Sequence, residues 1–268
     1  MFLHNIVISC RKSLLHLAAI SFFFSFAVIL SQFSIEVQAK ERQIMGEIAQ
    51  AFRSPNRGLP PDAAGSGVRS SLGTQCQKDG NTKLPLISLM PENNFGLTLS
   101  NNPTLLFYIP QTSARTAEFI LRDDQDVDIY RKPFALTGMP GIISFPAMEG
   151  SNIPVLKIDR NYHWYFVIIC NPNNRQNDIL VEGWLQRMEA SPVLTEKIKQ
   201  AQGINRVAIY AENGIWYDAI ATIAQLRYQY PNHTDLAKSW QELLKSVGLD
   251  EVVNEPLINC CRAIGNSN

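Results

Sequence analysis

Apolar residues recur in short runs up to residue 188 and at helical spacing after it. Seven short runs are bounded by turn-forming residues: 84–90, 103–110, 116–123, 128–136, 141–147, 162–171 and 178–188. Runs of this length predict β-strands. Because no helical period separates them, they favour an antiparallel sandwich over a parallel sheet.

The run 162–171 predicts the sides of one strand. Alternation places four apolar residues on its inner face: Tyr162, Trp164, Phe166 and Ile168. His163, Tyr165 and Val167 then face outward. Because this outer side is also largely apolar, we expect a second layer over it. Leu156 lies six residues before Tyr162, a spacing that resembles the tyrosine corner of immunoglobulin and fibronectin type III sandwiches.

The period changes to helical in the C-terminal part. Four segments are predicted to be helices: 191–201, 204–214, 215–230 and 234–249. Ser191 is a candidate N-cap with Pro192 in the first helical position, and Gly214 and Pro231 are helix stops.

Within these helices, one spacing resembles a tetratricopeptide (TPR) hairpin. Tyr210, Gly214, Ala219 and Pro231 stand at the distances of the signature aromatic, glycine, alanine and proline positions of that repeat. The functional interpretation is a peptide groove, and the alternative is a hairpin that serves packing. Because one unit has no extended concave surface, the pattern favours packing.

These patterns predict an α+β chain. We expect an antiparallel, immunoglobulin-like or fibronectin type III-like β-sandwich at 76–190, followed by a small TPR-like helical domain at 191–268. A segment rich in Pro, Gly and Ser lies between 53 and 75, and we expect a flexible linker over 40–75.

The N-terminal segment 1–39 is typical of a secretory signal peptide. Arg11 and Lys12 precede the apolar run 13–30, and Val-Gln-Ala at 37–39 provides a cleavage site. An uncleaved membrane anchor is the alternative, because the run approaches a bilayer-spanning length. We therefore expect a periplasmic or cell-surface location, with membrane contact only through this segment if it stays uncleaved.

Four cysteines follow the signal segment, and an exported chain with an even number favours disulfides. We expect a Cys76–Cys170 bridge, which leaves Cys260 and Cys261 as a possible vicinal pair. Free thiols, or a bridge from one of this pair to Cys76 or Cys170, are the alternatives.

Charge balances along the chain, with 24 basic and 24 acidic side chains. Removal of residues 1–39 leaves 22 basic and 23 acidic side chains, so no global field attracts nucleic acid. We expect no nucleic-acid partner and instead another envelope protein or a peptide.

No motif for catalysis or a cofactor stands out. The segment 122–128 resembles a calcium loop but lacks its glycine and its final glutamate, so a hairpin turn is expected. His163 and His233 share no metal-ligand spacing, and Ser113 has no nucleophile elbow around it. The carboxylates Glu182, Glu212 and Asp218 cannot be paired from sequence alone. We expect no cofactor and no metal.

Several blocks resemble a known family. They are PENNFGLTLSNNPTLLFYIP (91–110), YHWYFVIICNP (162–172), VEGWLQR (181–187) and YAENGIWYDAI (210–220). In this order they are similar to a family of exported cyanobacterial proteins catalogued as a domain of unknown function, over about residues 76–261. The resemblance implies no reaction and no catalytic residue.

The leading hypothesis is a non-enzymatic binding or adaptor module of the cell envelope. An envelope hydrolase acting on glycan or peptide is the alternative, and a purely structural envelope component is a third. The predicted binding residues lie at the junction of strands and helices: Trp184, Trp216, Tyr217 and Asp218. Burial of these aromatic residues between the two domains is the competing interpretation.

Overall fold

The structure is a computed structural model that describes residues 52–53, 70–71, 76, 84–148, 154–258 and 262–263. All of these belong to one compact unit. The predicted signal peptide 1–39 and the cysteines Cys260 and Cys261 lie outside the described residues. Within the described part, no helix is long and apolar enough to cross a bilayer.

The strands form two sheets. In chain order they are β1 Ser70–Ser71, β2 Leu86–Ser88, β3 Phe95–Thr98, β4 Thr104–Ile109, β5 Thr116–Arg122, β6 Asp128–Ala135, β7 Gly141–Pro146, β8 Asn161–Ile169, β9 Ile179–Arg187 and β10 Arg262–Ala263. The four-stranded sheet has the order β1-β2-β4-β7, and the six-stranded sheet has the order β10-β6-β5-β8-β9-β3.

Aromatic side chains fill the space between the two sheets. Phe107 of β4 stacks on Phe166 of β8 with ring centroids 4.3 Å apart, and Phe145 of β7 meets Phe166 edge to face. The predicted inner face of β8 is buried throughout: Tyr162, Trp164, Phe166 and Ile168. On the opposite face, His163 and Val167 are also largely shielded from solvent, at 8% and 7% exposure.

The strand pairing at one edge of the six-stranded sheet differs from the expected antiparallel topology. β3 was not among the predicted strands, and it pairs in parallel with β9, with Phe95 beside Trp184. The sheets are therefore not wholly antiparallel. No hairpin joins these two strands, because they are far apart in sequence, so no turn fixes their relative direction.

Two links stabilise the loops around β8. The Lys157 N–H donates to the hydroxyl of Tyr162 at 2.8 Å, which is the upstream backbone bond expected of a tyrosine corner. A disulfide joins Cys76 to Cys170, the pair favoured from the sequence, with their Cα atoms 5.1 Å apart.

The chain after β9 is helical, as the periodicity predicted. The helices are α1 Pro192–Gln200, α2 Gly203–Glu212, α3 Trp216–Gln229 and α4 Thr234–Lys245, and short 3-10 turns cover Arg175–Asn177 and Asp250–Val252. Ser191 caps α1 by accepting a hydrogen bond from the Leu194 N–H. α3 contacts both β3 and β4, so it joins the two sheets.

Parts of the predicted linker 40–75 belong to this packing. The Phe52 ring meets Trp216 edge to face at 4.8 Å, and the Arg53 N–H donates to the carbonyl of Ala211. Ser70 and Ser71 form β1 at the edge of the four-stranded sheet. The remainder of 40–75 lies outside the described residues.

Candidate functional site

The first turn of α3 is fixed by a tight turn and by a buried tryptophan. Gly214 has a φ of +69°, which a glycine adopts without a steric penalty, and this lets α3 follow α2 directly. The Trp216 side chain is fully buried, and its indole N–H donates to the carbonyl of Leu89 at 2.9 Å. Trp216 therefore attaches the start of α3 to the end of β2.

Tyr217 reaches from α3 into the space between the sheets. Its hydroxyl accepts a hydrogen bond from the indole of Trp164 at 2.7 Å and donates to the carbonyl of Trp184 at 3.0 Å. Burial raises the pKa of this phenol well above its usual range. A Cβ on Gly96 would lie 2.7 Å from the Tyr217 ring, and one on Gly183 would lie 2.5 Å from Trp164. Both glycines make room for aromatic rings.

Asp218 connects the same turn of α3 to the end of β3. Its Oδ2 accepts hydrogen bonds from the Thr98 hydroxyl at 2.8 Å and from the Leu99 N–H at 3.1 Å. Burial raises the pKa of the Asp218 carboxyl, and these two hydrogen bonds act in the opposite direction. The result is a carboxyl group whose neutral form is favoured more than in water.

A groove runs beyond Asp218, between α3 and the outer face of the four-stranded sheet. We call it the α3 groove. Its larger section has a volume of about 330 Å³, and its lining is Thr104, Ile142, Ser144, Ala221, Ala224, Gln225, Tyr228, Leu257 and Ile258. A second section of about 170 Å³ adjoins it and extends to Tyr217 and Asp218. Thr104, Ala221 and Gln225 line both sections.

The lining of the α3 groove is largely neutral. Hydroxyl and amide groups come from both sides, and Ala221 and Ala224 leave space because their side chains are short. Among the described lining residues, Asp218 is the one ionisable carboxylate, and none is Lys, Arg or His. Small apolar surfaces with a few polar groups are typical of ligand sites.

The four residues predicted to bind a ligand lie in different surroundings. Tyr217 and Asp218 line the smaller section of the groove, whereas Trp216 is buried beneath the start of α3. The Trp184 ring lies on the other face of the six-stranded sheet, where it packs with Phe95 and Leu97. Binding through all four residues stays a prediction, and the three aromatics have at most 6% exposure.

A polar cluster on that outer face was not predicted from the sequence. The Tyr165 hydroxyl lies 2.9 Å from Nδ1 of His163, and Nε2 of His163 lies 3.1 Å from Oε2 of Glu182. The His163 ring stacks on Trp184 at 4.2 Å. Burial and the nearby Glu182 raise the pKa of the Tyr165 phenol. The spacing of His163 and Tyr165 in β8 was the available signal, but the pairing with β9 was not known.

The segment that resembles a calcium loop forms the turn between β5 and β6. Asp123 accepts hydrogen bonds from the N–H groups of Gln125 and Val127, and Arg122 forms an ion pair with Asp126. Asp123, Asp126 and Asp128 are therefore engaged within the hairpin turn, as expected, and Asp124 forms an ion pair with Arg160 outside it. In the described part of the chain, no group of three or more metal-ligating side chains comes together.

Two packed sheets, a helical region and a groove between them define an α+β protein with a candidate ligand-binding groove. A family model described as Domain of Unknown Function (DUF928) matches residues 64–257, and the chain belongs to this family. Searches among curated proteins and among solved structures gave no match.

Proposed function

We propose that this protein is a non-enzymatic binding or adaptor module of the cell envelope and that the α3 groove is its ligand site. The observation that carries the proposal is the groove itself, with its short alanine side chains, its neutral polar rim and its volume of about 330 Å³. The proposal includes export by a cleaved signal peptide at 1–39 to the periplasm or cell surface of a cyanobacterium. The Cys76–Cys170 disulfide is compatible with an oxidising, exported location.

In this proposal the two parts of the fold have different tasks. An immunoglobulin-like sandwich is the rigid support. The hydrogen bond from the Lys157 N–H to the Tyr162 hydroxyl supports this part of the proposal. A single TPR-like hairpin consists of α2 and α3, and its second helix, α3, packs on this support and lines the groove. The partner is another envelope protein or a peptide.

The competing function is an envelope hydrolase, and Asp218 is the observation in its favour. A carboxyl with a raised pKa beside a groove is suited to general acid catalysis. Glycoside hydrolysis ordinarily needs a second carboxylate, and Asp218 is the one carboxylate in the described lining. The composition of the groove therefore supports binding over hydrolysis.

Capture from envelope extracts tests the proposal. Ala221→Trp fills the middle of the groove, and Ala237→Trp on α4 is the matched control, because both alanines are partly exposed and neither change removes a hydrogen bond. We expect a partner that binds the wild type and the Ala237→Trp variant but not the Ala221→Trp variant. Trp216 is unsuitable for this purpose because its replacement would perturb the buried core.

Two results would contradict the proposal. Equal capture by the Ala221→Trp variant would show that the groove is not the binding site. Release of soluble fragments from peptidoglycan or from a peptide substrate by the wild type, but not by an Asp218→Asn variant, would support the hydrolase instead.

A further inference from the structure

β7 is an edge strand that already accepts an extended segment of its own chain. The Ile142 N–H donates to the carbonyl of Pro256 at 2.7 Å, and the Ile258 N–H donates to the carbonyl of Ile142 at 2.8 Å. Leu257 therefore lies beside Ile142 in a parallel bridge. These bonds also show that the main-chain groups of Ile142 point away from the neighbouring strand β4.

Ser144 is the next residue of β7 whose main chain points in the same direction. Alternate residues of a strand share an edge, so the Ser144 N–H and carbonyl face outward as those of Ile142 do. Ser144 is exposed, and its outward N–H and carbonyl have no hydrogen-bond partner among the described residues. Pro146, two residues further, has no N–H to offer. The unpaired part of this edge is therefore short.

This unpaired edge borders the α3 groove. Ser144, Leu257 and Ile258 line its larger section together with Ala221 and Ala224 of α3. An extended peptide that lies along β7 beside Ser144 would form main-chain hydrogen bonds with Ser144 on one side. Its side chains would point alternately into the groove and away from it.

The surrounding groups indicate the chemistry of such a chain. Hydroxyl and amide groups from Thr104, Ser144 and Gln225 suit a polar main chain, and the alanines of α3 suit a small or medium apolar side chain. Asp218 lies at the far end, and no cation lies among the described lining residues, so an acidic segment is disfavoured. Tyr228, with 55% exposure, adds an aromatic surface at the rim.

We infer that the α3 groove binds a short extended peptide, neutral or basic, that adds to the edge of β7 at Ser144. Main-chain hydrogen bonds to Ser144 supply part of the affinity, and a side chain against Ala221 and Ala224 supplies the rest. This inference rests on the proposed function and narrows its ligand to a peptide strand.

The test uses a bead library of acetylated linear octapeptides and the full chain purified from the envelope fraction of expressing cells. Each selected peptide is also made with N-methyl groups at alternating residues, in both registers. N-methylation removes main-chain donors and leaves the side chains unchanged. We expect one of the two registers to weaken binding by about tenfold or more, as the loss of a buried hydrogen bond requires.

Four variants report on the protein side. Ser144→Pro removes the outward N–H, whereas Ser144→Ala keeps it and removes only the hydroxyl. We expect the proline variant to bind about tenfold more weakly than the alanine variant. Ala221→Trp should abolish binding, and Ala237→Trp should leave it unchanged.

The outcomes separate the inference from the proposed function. If peptides bind, and only Ala221→Trp matters while N-methylation and Ser144→Pro have no effect, strand addition is overturned and groove binding stands. If no peptide is selected but an oligosaccharide binds and is lost in Ala221→Trp, the peptide class is overturned. If peptides bind the Ala221→Trp variant as well as the wild type, both the inference and the proposed site fail.

Discussion

Replacement of Tyr217 by phenylalanine isolates one hydroxyl group at the junction of α3 and the two sheets. This hydroxyl lies between the indole N–H of Trp164 at 2.7 Å and the carbonyl of Trp184 at 3.0 Å. The ring itself is 1% exposed, so phenylalanine keeps the packing and removes only the polar atom. The change therefore leaves the indole N–H of Trp164 unpaired in the core, whereas the Trp184 carbonyl still takes part in the ladder between β3 and β9.

The expected loss follows from the indole N–H of Trp164. A buried polar group left without a partner costs about 1–3 kcal/mol, and Trp164 has no exposure through which water can replace the hydroxyl. We expect the free energy of unfolding to fall by about 1–3 kcal/mol. For a domain of this size, that corresponds to a lower melting temperature by about 2–12 °C.

Urea denaturation followed by tryptophan fluorescence measures this loss, with the disulfide intact. Tyr230→Phe is the matched control, because Tyr230 lies just after the same helix and is 57% exposed. We expect its free energy of unfolding to stay within about 0.5 kcal/mol of the wild type. If Tyr217→Phe were equally neutral, the hydroxyl would not join α3 to the sheets, and the argument would be wrong.

Three further changes test other parts of the fold. Gly183→Ala should lower the free energy of unfolding by about 1–3 kcal/mol, because the Cβ of the alanine would lie 2.5 Å from the Trp164 ring. An unchanged denaturation midpoint would contradict this. Joint replacement of Cys76 and Cys170 by serine opens a loop with a sequence separation of 94, and we expect denaturation to show a loss of about 4–5 kcal/mol. The pKa of Asp218 is raised above 3.8 in the fold, so its stabilising contribution is complete below that pH and is lost as pH rises through the folded pKa. Asp218→Asn should remove this pH dependence, so the free energy of unfolding of the wild type should fall relative to that of the variant as pH rises. A difference between the two proteins that stays constant with pH would refute this prediction.

The sequence was sufficient for those elements that depend on local period. The four helices begin and end within a few residues of their predicted bounds, because apolar spacing, Ser191 and Gly214 act locally. The inner face of β8 was predicted for the same reason, since alternation along one strand is a local property. The hydrogen bond from Lys157 to Tyr162 also spans only a few residues.

Apart from the Cys76–Cys170 disulfide, the features that join distant segments could not be predicted. β3 contains Gly96, which weakens its strand signal, and the glycine is needed where the Tyr217 ring lies against the sheet. The parallel pairing of β3 with β9 has no marker in either segment. The α3 groove is lined by residues as far apart as Thr104, Ser144 and Gln225, and each has an ordinary polar role when read alone.

The two halves of α3 make stability and binding separable by mutation. Three residues of its first turn form hydrogen bonds to the sheets. Trp216 bonds to Leu89, Tyr217 bonds to Trp164 and Trp184, and Asp218 bonds to Thr98 at the end of β3. Its later turns present Ala221 and Ala224 to the groove, where short side chains leave space. Because Trp216 is fully buried and lines neither section of the groove, changes at Trp216 should lower stability without a specific effect on binding. Changes at Ala221, which is partly exposed, should do the reverse, whereas Ala224 is 2% exposed and belongs to the core as well. One helix of a single repeat-like hairpin can then line a groove that the hairpin does not form by itself.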